Sequence, residues 1–455
     1  MLNLLINTLK EFEGVEYLIK ESNIHRIENY NIKKRSEMFR EVDVTELLLT
    51  VYVTFSQTDE NGEEIKYKGS YDTQIHPGTS FDNLRKIISQ AVFAAGFVKN
   101  AWYPLVLPAA DDEAAGAAAV AAMGAGAEVT LDEKEALKKL QAAFYEDDNH
   151  ERGHIAYSEF FLTRRDVRIL NSSGVDVSYS AYEAYVETAV HWRSEAEGEE
   201  RGEIEVYEDF RFSLSAGVDA ACEMLKSRVA QLFSVAEKKA AAVPTPQVND
   251  INILLSGDCL REFFGYYLQR ADAQLIYQKL STYEEGAQVQ GGEGHCDKIS
   301  LTLKPMLKGS AQGRPYDDDG MQLAEHDIIL GGKLQKVRAS TRFASYLGIA
   351  PTGSTDNFHI TGGTASTDEL KREPYLELIS FSSFEVNPVT GDFGSEIRLG
   401  FYFDGEKTIP VTGGSISGNA AQVQDTLRMS AKERQYNNYL GPETISFRRA
   451  SISGA

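Results

Sequence analysis

The 455-residue chain carries 46 Lys and Arg against 68 Asp and Glu, a formal net charge of -22, with 42% hydrophobic and 25% charged residues. That length predicts roughly two or three domains; that charge repels nucleic acid, and the densest basic run is only Lys33-Lys34-Arg35, so no direct nucleic-acid partner is expected. No run of about 18 apolar residues offers a bilayer span, and the opening MLNLLINTLKEFEG lacks a basic leader and a small-residue cleavage site, so the expectation is cytoplasmic residence without a membrane partner.

Residues 1–108 read as an N-terminal α+β domain. Leu47 to Phe55, rich in Leu, Val, Thr and Tyr, predicts a strand. Thr79 followed by Asp82 resembles a capping arrangement, after which Leu84, Ile87, Ile88, Ala91, Val92 and Ala95 recur at helical spacing. Residues 109–130, with AAGAAAVAAMGAGAE, can bury little specific surface and read as an Ala/Gly-rich linker or excursion. A middle α+β region follows at 131–246. It opens with a charged surface helix from Asp132 to Phe144, and a hairpin is predicted from Val167–Leu170 through Asn171-Ser172-Ser173-Gly174 to Val175–Tyr179. Val218, Cys222, Leu225, Val229, Leu232 and Phe233 trace one helix face, which Pro244 and Pro246 cannot continue, so a boundary is placed there. Residues 247–455 read as a β-rich C-terminal domain. Leu376 to Phe384 is one extended run, and Ile397, Leu399, Phe401 and Phe403 alternate ahead of an Asp404-Gly405 turn.

Cys222, Cys259 and Cys296 have no close metal-ligand spacing and fit a reducing compartment. His150 and His154 are four apart in a polar segment interrupted by Gly153. His295, Cys296 and Asp297 alternate in direction along a strand, and His326 could join them only through the fold. The glycine pairs at 291–292, 331–332, 362–363 and 413–414 match neither a phosphate loop nor a dinucleotide fingerprint, and no GxSxG elbow occurs. No cofactor is expected.

The segment from Leu254 to Tyr267 is similar to a metallopeptidase helix that has kept its acid and lost its metal donors. An HExxxH pattern would place histidines at 261 and 266 around Glu262. Arg261 has no lone pair to offer, and the Tyr266 phenol, with an ordinary pKa of about 10, is a poor substitute. Further on, Lys308-Gly309-Ser310, Arg314 to Gly320, Ile328 to Leu334, Thr341-Arg342, Ala344, Gly348 and Ile416 to Asn419 follow one another in a recognisable order. With these motifs the chain resembles the TldD/PmbA family, labelled a modulator of DNA gyrase, and more closely its degenerate PmbA (TldE) branch. The likeness runs from about residue 150 to the end.

The resemblance implies an α+β TldD/PmbA-like fold, intertwined subunits enclosing a cavity, and the handling of peptides or unfolded polypeptides. In the catalytic branch a downstream cysteine completes the metal site; here no cysteine follows Cys296, and the corresponding stretch reads Tyr439 to Thr444. No metal-ligand set is therefore expected. The function read from the sequence is a non-catalytic metallopeptidase homologue that binds or presents peptides, as a homodimer or with a TldD-like heteromeric partner. The alternatives are an atypical peptidase using Glu262 and a modulator of DNA gyrase acting through protein contacts. Glu262 is the one candidate catalytic acid. Arg261, Tyr266 and Arg314 are candidate substrate-binding residues. Asp317, Asp318, Asp319 and Gly320 read as a structural loop, because later ligands at EF-hand spacing are missing.

Overall fold

Long antiparallel strands build the first half of the chain. The computed structural model describes residues 1–108, 131–194, 202–291 and 296–455, so the predicted linker at 109–130 lies outside the described residues. β1 (Val15–Ile32) and β2 (Arg35–Thr58) form a hairpin turned at Lys33-Lys34, with Lys33 at φ 53°. The predicted strand at 47–55 is the inner part of β2. With β3 (Glu64–Gln74), β4 (Gly153–Asn171), β5 (Asp176–Arg193) and β6 (Glu203–Ser213) they complete a six-stranded sheet in the order β3-β2-β1-β4-β5-β6. The Asn171–Gly174 turn joins β4 to β5: the Asn171 Oδ1 accepts from the backbone N–H groups of Ser173 and Val175, and Gly174 takes φ 103°. β1 lies in the predicted 1–108 domain and β4 in the 131–246 region, yet they pair from Leu18 with Asn171 to Ile32 with Tyr157. The two regions share one sheet, because apolar alternation marks a strand without naming its partner.

The two-residue period puts Ile19 and Ile27 on one face of β1. Ile19, with Leu47, Leu49 and Val51, packs under α1 (Leu2–Leu9) and α2 (Phe81–Ala95). Ile27, with Phe160, Leu162 and Val186, packs under α3 (Glu133–Phe144) and α4 (Val218–Ala240). All four helices thus cover the same face. Ser80, not Thr79, caps α2 by accepting from the Asn83 N–H. The helix predicted at 132–144 is no surface helix: α3 buries Ala136, Leu137, Leu140, Ala143 and Phe144, and its charges form only the outer face of an amphipathic cylinder.

At the predicted boundary, Val243–Pro244 already pairs with the strand Thr408–Thr412, adding an edge where a proline without an N–H is tolerated. The C-terminal half contains a ten-stranded and a six-stranded sheet. Inside the larger one, the strand Asn252–Ser256 runs between Tyr375–Phe381, parallel to it, and Thr444–Phe447, antiparallel. The predicted run from Ile397 to Phe403 ends the strand Asp392–Phe403. Among the described residues, no helix is long and apolar enough to cross a membrane.

Candidate functional site: a cleft at the first turn of a metallopeptidase-like helix

The strand Asn252–Ser256 leads through Gly257, at φ 99°, into α5 (Cys259–Arg270), so the turn needs a residue free of Cβ strain. Leu260, Phe263, Phe264 and Tyr267 bury the inner face of α5 completely. Phe263 stacks on Phe447 at 5.9 Å, Phe264 stacks on Tyr439 at 5.9 Å, and the Tyr267 hydroxyl donates to Gln424 Oε1 at 3.0 Å. The outer side of the first turn faces a cleft of about 1280 Å³. Its other walls are the end of β6, the start of α4, the segment 379–386, the stretch 308–312 and the strand end and turn at 434–437.

Two arginines in this cleft are paired with acids. Arg261 Nη2 meets Asp258 Oδ2 at 3.0 Å, and Arg261 Nη1 meets Glu262 Oε1 at 3.1 Å. Burial weakens the guanidinium's hold on its proton, but the Asp258 hydrogen bond and the two neighbouring carboxylates raise its pKa overall. Across the cleft, Arg228 Nη2 donates to Glu208 Oε1 at 2.9 Å while its guanidinium lies over Phe210 and Tyr436. Burial pushes the Glu208 carboxyl up, with Arg228 opposing, and burial likewise raises Asp209. The Cys259 thiol is buried and driven upward by desolvation, the opposite of an activated nucleophile.

One wall carries the end of a strand. The parallel pairing of Tyr375–Phe381 with Asn252–Ser256 ends at Leu378 opposite Leu255, whereas pairing on its other side continues to Phe381 opposite Ile397. Ile379, Ser380 and Phe381 line the cleft just past that point.

Of the residues singled out by sequence, Glu262 and Arg261 line the cleft and Tyr266 and Arg314 do not. Tyr266 is only 6% exposed, packed edge-to-face on Tyr267 at 5.0 Å and close to Gly391. Arg314 sits at the acidic loop, donating to Asp318 Oδ1 at 3.0 Å and to the Ser354 carbonyl at 3.1 Å. In that loop Asp317 Oδ1 accepts from the N–H groups of Asp319 and Met321, and its Oδ2 accepts from Ser354 N–H. Asp318 pairs with Lys20 and Arg314. Gly320, at φ 83°, lies so close to β4 and β5 that a Cβ would stand 2.7 Å from Val175 Cγ1. His295 lies outside the described residues; Asp297 Oδ2 accepts from Met429 N–H at 2.7 Å. Sequence reasoning missed the walls supplied by Glu208, Arg228 and residues 379–386, which come from distant segments and carry no shared local pattern.

The donor set does not fit the ion that a metallopeptidase helix would hold. One ligand position is a guanidinium already bound to two acids, the other a phenol packed into the core. In the stretch where the resemblance places a cysteine, Tyr439 is fully buried with its hydroxyl donating to the Pro442 carbonyl at 3.2 Å.

These features define a strand-turn-helix site in which the positions that the resemblance marks as metal ligands hold an ion-paired arginine and a buried tyrosine. Residues 249–454 match the PmbA/TldA metallopeptidase C-terminal domain. A metalloprotease PmbA homologue of Haemophilus influenzae is 22% identical over 318 residues, covering 64% of this chain and 66% of the relative. An uncharacterized protein of Methanocaldococcus jannaschii is 25% identical over 187 residues, covering 38% of this chain and 44% of the relative. Among solved structures, a proposed modulator of a DNA gyrase from Thermotoga maritima superposes with a TM-score of 0.74 at 15% identity, covering 99% of this chain and 98% of the other. TldE from Thermococcus kodakarensis gives 0.70 at 16% identity, over 100% of both chains. Residues 249–454 thus belong to the TldD/PmbA family, and the chain as a whole shares the fold of these structures.

Proposed function

We propose that this protein binds extended peptide segments in the cleft without cutting them, as a homodimer or beside a TldD-like partner that supplies the metal centre. The observation that carries this reading is the union, in one cleft, of a strand edge with no strand partner among the described residues after Leu378 and a helix turn that bears an ion-paired arginine where the resemblance expects a metal ligand. An added strand would hydrogen-bond along Ile379 to Phe381, gaining affinity from backbone groups and little sequence selectivity. The acids and arginines on both walls would then orient charged side chains of the peptide. Free Cys222, Cys259 and Cys296 support a reducing compartment, and we place the protein in the cytoplasm.

The competing reading is an atypical peptidase in which Glu262, 37% exposed at the cleft, activates water. The purified chain is tested for binding of a fluorescent unstructured peptide and, separately, for its cleavage, alone and with a partner that bears HExxxH. The expected result is binding by this chain alone, with cleavage appearing only when the partner is added. Full cleavage by this chain alone, abolished by Glu262→Gln, would overturn the proposal.

A further inference from the structure

We propose that His154, His191 and Glu203 form a binding site for a divalent transition-metal ion, best suited to zinc, on the face of the six-stranded sheet turned away from its four helices. The site is independent of the cleft and of the ligand positions on α5.

Strand register creates it. β4 pairs with β5 so that His154 stands opposite His191, and β5 pairs with β6 so that His191 stands opposite Glu205 and Arg193 opposite Glu203. The neighbouring Ile155, Val190 and Val206 enter the core beneath α3 and α4, which turns the two imidazoles to the other face. One potential ligand atom from each of His154, His191 and Glu203 lies within 4.8 Å of the other two. Around a tetrahedral zinc ion, with bonds of about 2.0–2.2 Å, such atoms stand roughly 3.3–3.6 Å apart. The separations therefore exceed those values by at most about 1.2–1.5 Å, within reach of small side-chain rotations at a partly exposed site.

The surroundings of His191 match what a metal-bound imidazole requires. Its Nδ1 is 3.0 Å from Glu203 Oε2 and its Nε2 is 3.0 Å from Glu205 Oε2. A ligating histidine gives one nitrogen to the ion and donates its other N–H to a carboxylate, which fixes ring orientation and tautomer. Glu205 is placed for that second role. A purely ionic arrangement, with His191 held between two glutamates, gives no task to His154, whose ring meets His191 edge-on at 5.5 Å. Two nitrogens and one carboxylate oxygen suit zinc better than magnesium or calcium, and water completes the coordination at this partly exposed position. The ion would tie β4, β5 and β6 together. His150, the sequence neighbour of His154 at helical spacing, instead packs on Phe233 at 4.3 Å.

The test uses the full chain, stripped with a chelator and titrated with Zn²⁺ by calorimetry and with Co²⁺ by visible absorption. We expect one ion per chain and a cobalt spectrum of mixed nitrogen and oxygen ligation. Binding should weaken roughly tenfold or more in His154→Ala and His191→Ala, and roughly 10- to 100-fold in Glu205→Gln through loss of the orienting hydrogen bond. His150→Ala should bind as the wild type does. Thermal midpoints of the metal-free variants check their folding; should His191→Ala fail to fold, the partly exposed His154→Ala carries the test. No uptake by the wild-type chain, or unchanged affinity in His154→Ala, would overturn the proposal.

Discussion

Asp319→Asn should stabilise this protein at neutral pH and do nothing for it in acid. Asp318, beside it, is served by Lys20 and Arg314, and Asp317 by three backbone N–H groups, whereas the charge nearest to helping Asp319 is Arg342. That guanidinium is already occupied by Asn100 Oδ1 at 2.8 Å and the Tyr346 hydroxyl at 3.1 Å. Burial first, and then the charges of Asp317 and Asp318, push the Asp319 carboxyl from an ordinary 3.8 up to about 6. At about 1.36 kcal/mol per tenfold change in proton affinity, ionising it in the folded state costs roughly 3 kcal/mol, and partial solvent access reduces this to about 1–3 kcal/mol. The folded state holds this proton more tightly than the unfolded chain. Its contribution to stability is therefore complete below the unfolded value near 3.8 and disappears as pH rises through about 6. Urea unfolding of wild type and Asp319→Asn should converge near pH 4 and separate, with the variant more stable, by pH 8. A difference that stays constant across that interval, or a variant less stable at pH 8, would refute the reasoning.

Three other perturbations follow from the same geometry. Tyr267→Phe leaves Gln424 Oε1 without its buried donor and should cost about 1–2 kcal/mol in urea unfolding, with peptide binding preserved. Gly320→Ala combines φ 83° with a Cβ placed 2.7 Å from Val175, and should lower stability by about 2–4 kcal/mol; a thermal midpoint equal to wild type would mean that the loop moves freely away from β4 and β5. Installing Arg261→His together with Tyr266→His should not restore stoichiometric zinc at α5, since residue 266 points into packed aromatic rings and Tyr439 fills the neighbouring core. Metal analysis of that variant on a His154→Ala background isolates the helix from the sheet site.

How much of this could be read from sequence depends on the distance over which the physics acts. α2 and the Asn171–Gly174 turn were legible because an apolar stripe or a turn-forming Asn and Gly act within a few residues, although the capping hydroxyl proved to be that of Ser80 and not Thr79. α3 was misread for a related reason. Lys134, Glu135, Lys138 and Lys139 dominate its composition, whereas Leu137, Leu140 and Phe144, which decide its burial, form a narrower stripe. β1 and β2 exceed the usual strand length, and the first part of β2 is exposed, so no alternation announces it there. At α5 the resemblance pointed to positions 261 and 266, where an arginine and a tyrosine stand. That same local reading set Arg261 and Tyr266 side by side as substrate contacts, although only Arg261 reaches the cleft. His154, His191 and Glu203 were wholly illegible. Their proximity is fixed by two strand registers, and a one-residue slip in either would turn a ligand to the opposite face. Candidate ligands that share one helix can be sought in the sequence, whereas side chains gathered across three strands come together only through the strand pairings.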